Sequence, residues 1–99
     1  MIVTVVTFPL PAGMTEADAR DLYAAGADRY RTVKGLVSKH YLFQPGTGGG
    51  VYLWETRADA DALFTADWRR ALADKYGAEP QVQYFVSPLS VINARADTA

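Results

Sequence analysis

The sequence holds a single histidine, His40, in the run Leu36-Val37-Ser38-Lys39-His40-Tyr41-Leu42-Phe43-Gln44. Its ordinary pKa lies near neutrality, so it is the candidate to take a proton from a bound molecule. A hydrogen-bonded structural histidine is the competing reading. Tyr52 and Trp54 are two residues apart in another extended run, which puts both rings on one face. They could stack on a planar ligand while O–H and N–H orient it, or fill the core with their polar tips satisfied. Trp68 carries the same choice. Tyr23 and Tyr30 are seven residues apart at helical spacing, with Gly26 between them. Glycine costs about 1 kcal/mol in a helix interior relative to alanine, so Gly26 marks either close packing or room for a ligand. Arg69 could stabilise a developing anion if it faces inward, or sit in solvent beside an inward Trp68.

Other chemistries lack their residues. With one histidine and no cysteine, a transition-metal site has too few ligands, and Asp59, Asp61 and Asp67 stand near a helix start where the macrodipole favours carboxylates. The glycine-rich stretch Pro45-Gly46-Thr47-Gly48-Gly49-Gly50 has no following Lys-Ser/Thr and opens no helix, so it does not read as a phosphate cradle. Ten Lys+Arg against eleven Asp+Glu give a net charge of −1, which argues against nucleic acid as a partner. The longest apolar run, Ile2 to Leu10, is too short for the roughly 20 residues of a membrane span and lacks the features of a signal peptide. Without disulfides, the expected home is the cytoplasm.

These residues need elements to hold them. Ile2 to Phe8 is β-branched and aromatic, a strand closed by Pro9 and Pro11. Thr15 and Asp18 have capping-box spacing, and the stripe Ala19, Leu22, Tyr23, Gly26, Tyr30 and Val33 predicts one helix from about Thr15 to about Thr32, closed by Lys34-Gly35. Leu36–Gln44 and Val51–Thr56 read as a hairpin around a Pro45–Gly50 loop. Placing Phe43 opposite Val51 sets Tyr41 against Leu53 and Lys39 against Glu55, an opposite-charge pair. On that parity His40 shares a face with Ser38, Tyr52 and Trp54. Arg57 to about Tyr76 predicts a second helix with a possible break near Thr65-Ala66, and Gln81 to Ser87 a fourth strand.

The order is β-α-β-β-α-β, an α+β ferredoxin-like arrangement with a four-stranded antiparallel sheet and helices on one face. Apolar residues make up 49% of this short chain and lie on both faces of the strands, more than two helices can cover. The sheet of a second subunit is the simplest cover, so a homodimer is expected. Residues 1–93 are read as one domain and 94–99 as a frayed tail.

Lys34-Gly35-Leu36, Gly49-Gly50-Val51-Tyr52-Leu53-Trp54-Glu55, the helix start from Ala58 to Phe64 and Ser87-Pro88-Leu89-Ser90-x-Ile92-Asn93 together resemble the YdhR-type monooxygenases of the dimeric α+β barrel superfamily, relatives of the antibiotic-biosynthesis monooxygenases. The resemblance spans Ile2 to Asn93. It implies a homodimeric barrel with a mostly apolar pocket between sheet and helices in each subunit. It also implies oxidation of an electron-rich aromatic or polycyclic phenol by O₂ with no cofactor and no metal. In that reading His40 assists deprotonation of the phenol, and Tyr23, Tyr30, Tyr52, Trp54, Trp68 and Arg69 bind the substrate. Trp68 resembles a tryptophan that lines the pocket of the antibiotic-biosynthesis relatives. Barrels of this type host other functions, so two alternatives stand beside it: an isomerase or cyclase moving a proton on a lactone or polyketide through His40, and a non-catalytic small-molecule binding protein. A haem-degrading reading is weakest, because its usual histidine ligand lies on a helix and His40 lies on a strand.

Overall fold

The chain opens on strand β1 (Ile2–Pro9) in a computed structural model whose described residues are 1–93. The tail assigned to 94–99 lies outside them. Helix α1 (Glu16–Ala24), a short 3-10 turn (Ala27–Tyr30), β2 (Leu36–Gln44), β3 (Thr47–Trp54), α2 (Arg57–Leu63), α3 (Ala66–Tyr76) and β4 (Gln81–Val86) follow. The strands form one antiparallel sheet in the order β2-β3-β1-β4. This is the ferredoxin-like βαββαβ arrangement, with α2 and α3 together filling the second helical position. β1 is central, and it sorts its side chains strictly: Thr4, Val6 and Phe8 are buried under the helices, while Val3, Val5 and Thr7 are half-buried on the other face.

Local chemistry sets the helix boundaries. Thr15 and Asp18 close a reciprocal capping box on α1. Thr56 caps α2 through the Asp59 amide, and Thr65 caps α3 through that of Trp68. Thr65 thus starts a fresh helix where the sequence allowed a break. Gly77, in the left-handed region, ends α3. The first helix is shorter than its apolar stripe predicts. It stops at Ala24, and Gly26, at φ −114° and ψ 3°, leaves helical geometry before the 3-10 turn. Glycine's poor helix propensity ends the run, so Tyr30 sits on the turn and not on α1.

The hairpin departs from the expected register. β3 begins at Thr47, leaving a turn of Pro45-Gly46, and the pairs are Phe43 with Gly48, Tyr41 with Gly50 and Lys39 with Tyr52. Gly48 and Gly49 belong to the strand because neighbours come too close for a side chain: a Cβ on Gly48 would run into the Tyr23 hydroxyl and Phe8, and one on Gly49 into the Val6 carbonyl. The shift relative to the Phe43–Val51 pairing is three residues, an odd number, so the two faces of β2 exchange. Lys39, Tyr41 and Phe43 lie on the helix-facing side with Tyr52, while Ser38, His40 and Leu42 lie on the other. An irregularity at Val37 brings Leu36 back opposite Trp54. The Lys39–Glu55 pair does not form; Glu55 lies past the end of β3 and donates its N–H to the Gly35 carbonyl.

Candidate functional site

Between the sheet and its helices lies a cavity of about 140 Å³. Its floor comes from the strands, with Phe8 of β1, Lys39 and Tyr41 of β2, and Tyr52 of β3. Tyr23 of α1, Tyr30 of the 3-10 turn, and Trp68 and Tyr76 of α3 form its walls. Trp68, Leu72 and Tyr76 recur every four residues, so one face of α3 supplies all three. The rings brace one another: Tyr23 stacks on Tyr41 at 4.7 Å between centres and Phe8 on Tyr76 at 4.0 Å, while Tyr30 meets Tyr52 edge-on at 6.3 Å. Tyr23 is also pinned by donating its O–H to the Leu42 carbonyl at 3.0 Å. Gly26 lines the cavity, and a Cβ there would meet nothing within 4 Å, so its role is room and not close packing.

Two polar groups in this lining are unusual. Trp68 is 7% exposed, and its buried indole N–H has no hydrogen-bond partner among the described residues. Lys39 extends into the rings, with Nζ 3.4 Å from the Tyr30 ring centre, 4.0 Å from Tyr41 and 4.7 Å from Tyr52. Burial, and then the positive charges of Arg29 and Lys75, push its amine down to about 7. Burial acts oppositely on the phenols. It raises Tyr23 and Tyr41, takes Tyr76 up to about 12 and drives Tyr52 higher still, so these hydroxyls stay protonated at neutral pH.

Of the residues singled out in the sequence, the fold brings Tyr23, Tyr30, Tyr52 and Trp68 into this one cavity. Three others lie elsewhere. His40 is exposed, pairs with Val51, and points from the opposite face of the sheet, so the expectation that it shares a face with Tyr52 and Trp54 is corrected by the hairpin register. Trp54 shares the Tyr52 face but is wholly buried; its N–H donates to Thr4 Oγ1 at 3.0 Å, and its ring stands behind Tyr52 as core. Arg69 is half-buried outside the lining, where its charge acts on the Tyr84 hydroxyl. Sequence reasoning missed Lys39, Tyr41, Phe8 and Tyr76. A two-residue turn at Pro45-Gly46 would have exposed the alternation of Lys39 and Tyr41 on the Tyr52 face, and continuing the Trp68–Leu72 spacing one step reaches Tyr76.

No protein-family model matches the chain, and no curated protein matches its sequence. Solved structures do match in fold. A candidate antibiotic biosynthesis monooxygenase from Deinococcus radiodurans superposes with a TM-score of 0.70 at 15% identity, covering 96% of this chain and 100% of that one. The monooxygenase from ActVA-Orf6 of Streptomyces coelicolor, solved in complex with nanaomycin D, gives 0.66 at 22% identity over 94% and 92%. SnoaB, a cofactor-independent oxygenase from Streptomyces nogalater, gives 0.63 at 12% identity over 93% and 97%. At these identities the likeness establishes a shared ferredoxin-like fold.

Proposed function

We propose that this chain is a cofactor-independent monooxygenase of small electron-rich phenols, akin to the YdhR-type and antibiotic-biosynthesis monooxygenases and active as a homodimer. The observation that carries the reading is a ring-lined cavity that includes Trp68, a residue whose buried indole N–H has no partner among the described residues. An unpaired buried donor costs about 1–3 kcal/mol, and a phenol oxygen relieves it while the ring stacks on its neighbours. Fold neighbours described as a monooxygenase and as a cofactor-independent oxygenase support the oxygen chemistry. Size sharpens the substrate class. A cavity of about 140 Å³ is close to the roughly 150 Å³ that admits one benzene ring, so a single-ring phenol fits as the pocket stands.

The reaction balances without a reductant. Loss of the phenolic proton makes the ring electron-rich, one electron passes to O₂, and the phenoxyl radical and superoxide join at the para carbon. Loss of water then leaves the quinone. A phenol with a free para C–H and one O₂ give one quinone and one water, the substrate supplying all four electrons. The site contributes desolvation, orientation and charge.

The uncovered sheet face supports the homodimer. Val3, Val5, Leu42, Val51 and Leu53 are half-buried and Phe85 is 51% exposed, and no described element packs over them. A second copy laid face to face buries this surface and completes a barrel.

Oxygen uptake by chelator-treated protein tests the function. We expect single-ring phenols to drive uptake matched by quinone formation, and Trp68→Phe to raise KM several-fold by removing the donor. Phenols that bind in the cavity without consuming O₂ would overturn the oxygenase reading.

A further inference from the structure

Lys39 occupies an unusual place for a lysine: the middle of a strand, on the face that packs against the helices, with its ammonium position enclosed by three tyrosine rings. It has no anionic partner among the described residues. The three ion pairs among the described residues, Arg31–Asp28, Arg57–Asp61 and Arg70–Asp67, are all on exposed surface. The other charges lining the cavity have the same sign as Lys39: Arg29 on the 3-10 turn, 5.3 Å from the Tyr30 ring centre, and Lys75 on α3, 5.5 Å from that of Tyr76. Among the described residues no carboxylate lines it. A partly desolvated site with three basic side chains and no acid is electrostatically incomplete, and an anion is what completes it.

Resting on the phenol-oxygenase reading above, we propose that Lys39 is the proton acceptor of this site, taking the substrate's phenolic proton on Nζ and holding the phenolate as the resulting ammonium, with Arg29 and Lys75 adding positive potential at the cavity edge. Only a proton moves in this step. The O–H bond breaks, an N–H bond forms, both O–H electrons stay on the phenolate oxygen, and oxidation by O₂ follows separately.

The surroundings suit the role. To accept a proton Lys39 must be the free amine when the phenol arrives, and burial together with Arg29 and Lys75 brings it to about 7. The ring faces of Tyr30, Tyr41 and Tyr52 pull towards ammonium and offset part of that push. The Tyr23, Tyr41, Tyr52 and Tyr76 hydroxyls facing the cavity are all raised, so they do not compete as anions. A phenolate beside Nζ reverses the balance and favours ammonium, making the acceptor stronger once substrate is bound.

The test binds 4-fluorophenol without oxygen and reads its ionisation by fluorine NMR, with 4-fluoroanisole, which has no acidic proton, as the environmental control. The free phenol has a pKa near the value of about 10 typical of tyrosine, so it is neutral in solution at pH 8. We expect wild-type protein to bind it as phenolate at pH 8 and Lys39→Met to bind it as neutral phenol. Proton counting in weak buffer separates an acceptor from a fixed charge. Wild type should release about one proton on binding at pH 6, where Lys39 is already charged, and close to none at pH 8, whereas Lys39→Arg should release about one at both. Neutral phenol bound to wild type, or phenolate persisting in Lys39→Met, overturns the role of Lys39 and leaves the oxygenase reading standing. Failure of both 4-fluorophenol and 4-fluoroanisole to bind overturns the phenol site itself, and the role of Lys39 with it.

Discussion

At the scale of single residues, the Lys39 amine ties the stability of the fold to pH. Its pKa falls from 10.5 to about 7 on folding, so between those values the unfolded chain holds a proton that the folded chain lacks. Stability therefore rises with pH above about 7, and the cost of burying the ammonium is felt in full below it. Above pH 10 the raised tyrosines act in the opposite sense, because the unfolded chain ionises first. Urea denaturation from pH 6 to pH 10 should show this rise in wild type and a flatter profile in Lys39→Met; a flat wild-type profile contradicts the burial of the charge. The same residue shows what the sequence hides. His40 draws attention because its intrinsic pKa is near neutral, whereas Lys39 reaches that range only through burial and the proximity of Arg29 and Lys75, which are 10 and 36 positions away in the chain. Trp54 and Trp68 make the same point. Nothing in their local sequence says that one N–H finds Thr4 and the other finds nothing.

At the scale of elements, the alternation of strands and helices was legible, because strand composition, threonine caps and glycine stops are local signals. Register was not. The hairpin turn could be drawn anywhere in a stretch holding four glycines, and the choice depends on Tyr23 and Val6, which approach from α1 and β1. Two substitutions separate the roles of these glycines. Gly48→Ala should cost about 1–3 kcal/mol by driving a methyl into the Tyr23 hydroxyl, Phe8 and Leu10. Gly26→Ala, in a conformation alanine tolerates and with open space around it, should leave stability unchanged or raise it by up to about 1 kcal/mol while weakening phenol binding. Thermal unfolding and phenol titration measure both. If Gly48→Ala is neutral, close approach of Tyr23 is not what keeps β3 glycine-rich.

At the scale of the whole molecule, one face of the sheet is finished and the other is not. The finished face holds the aromatic cavity, and Val3, Val5, Val51 and Leu53 on the other are only half-buried. Hydrophobic content on both faces of the strands was readable from the sequence and already pointed to a second copy, since face coverage depends on parity along each strand and not on register between strands. Wild-type protein should be dimeric by light scattering at micromolar concentration. Leu53→Lys, which places a charge on the open face, should shift it to monomer; a wild-type monomer contradicts the barrel.

The central claim, that this cavity lets O₂ oxidise a phenol with no cofactor, is tested most directly by isotope. Chelator-treated protein is given a single-ring phenol with a free para position under ¹⁸O₂, and the products are read by mass spectrometry. The account predicts one labelled oxygen in each quinone, the second in water, and one O₂ consumed per phenol. Quinone without label, or no quinone from a phenol that binds, would contradict it.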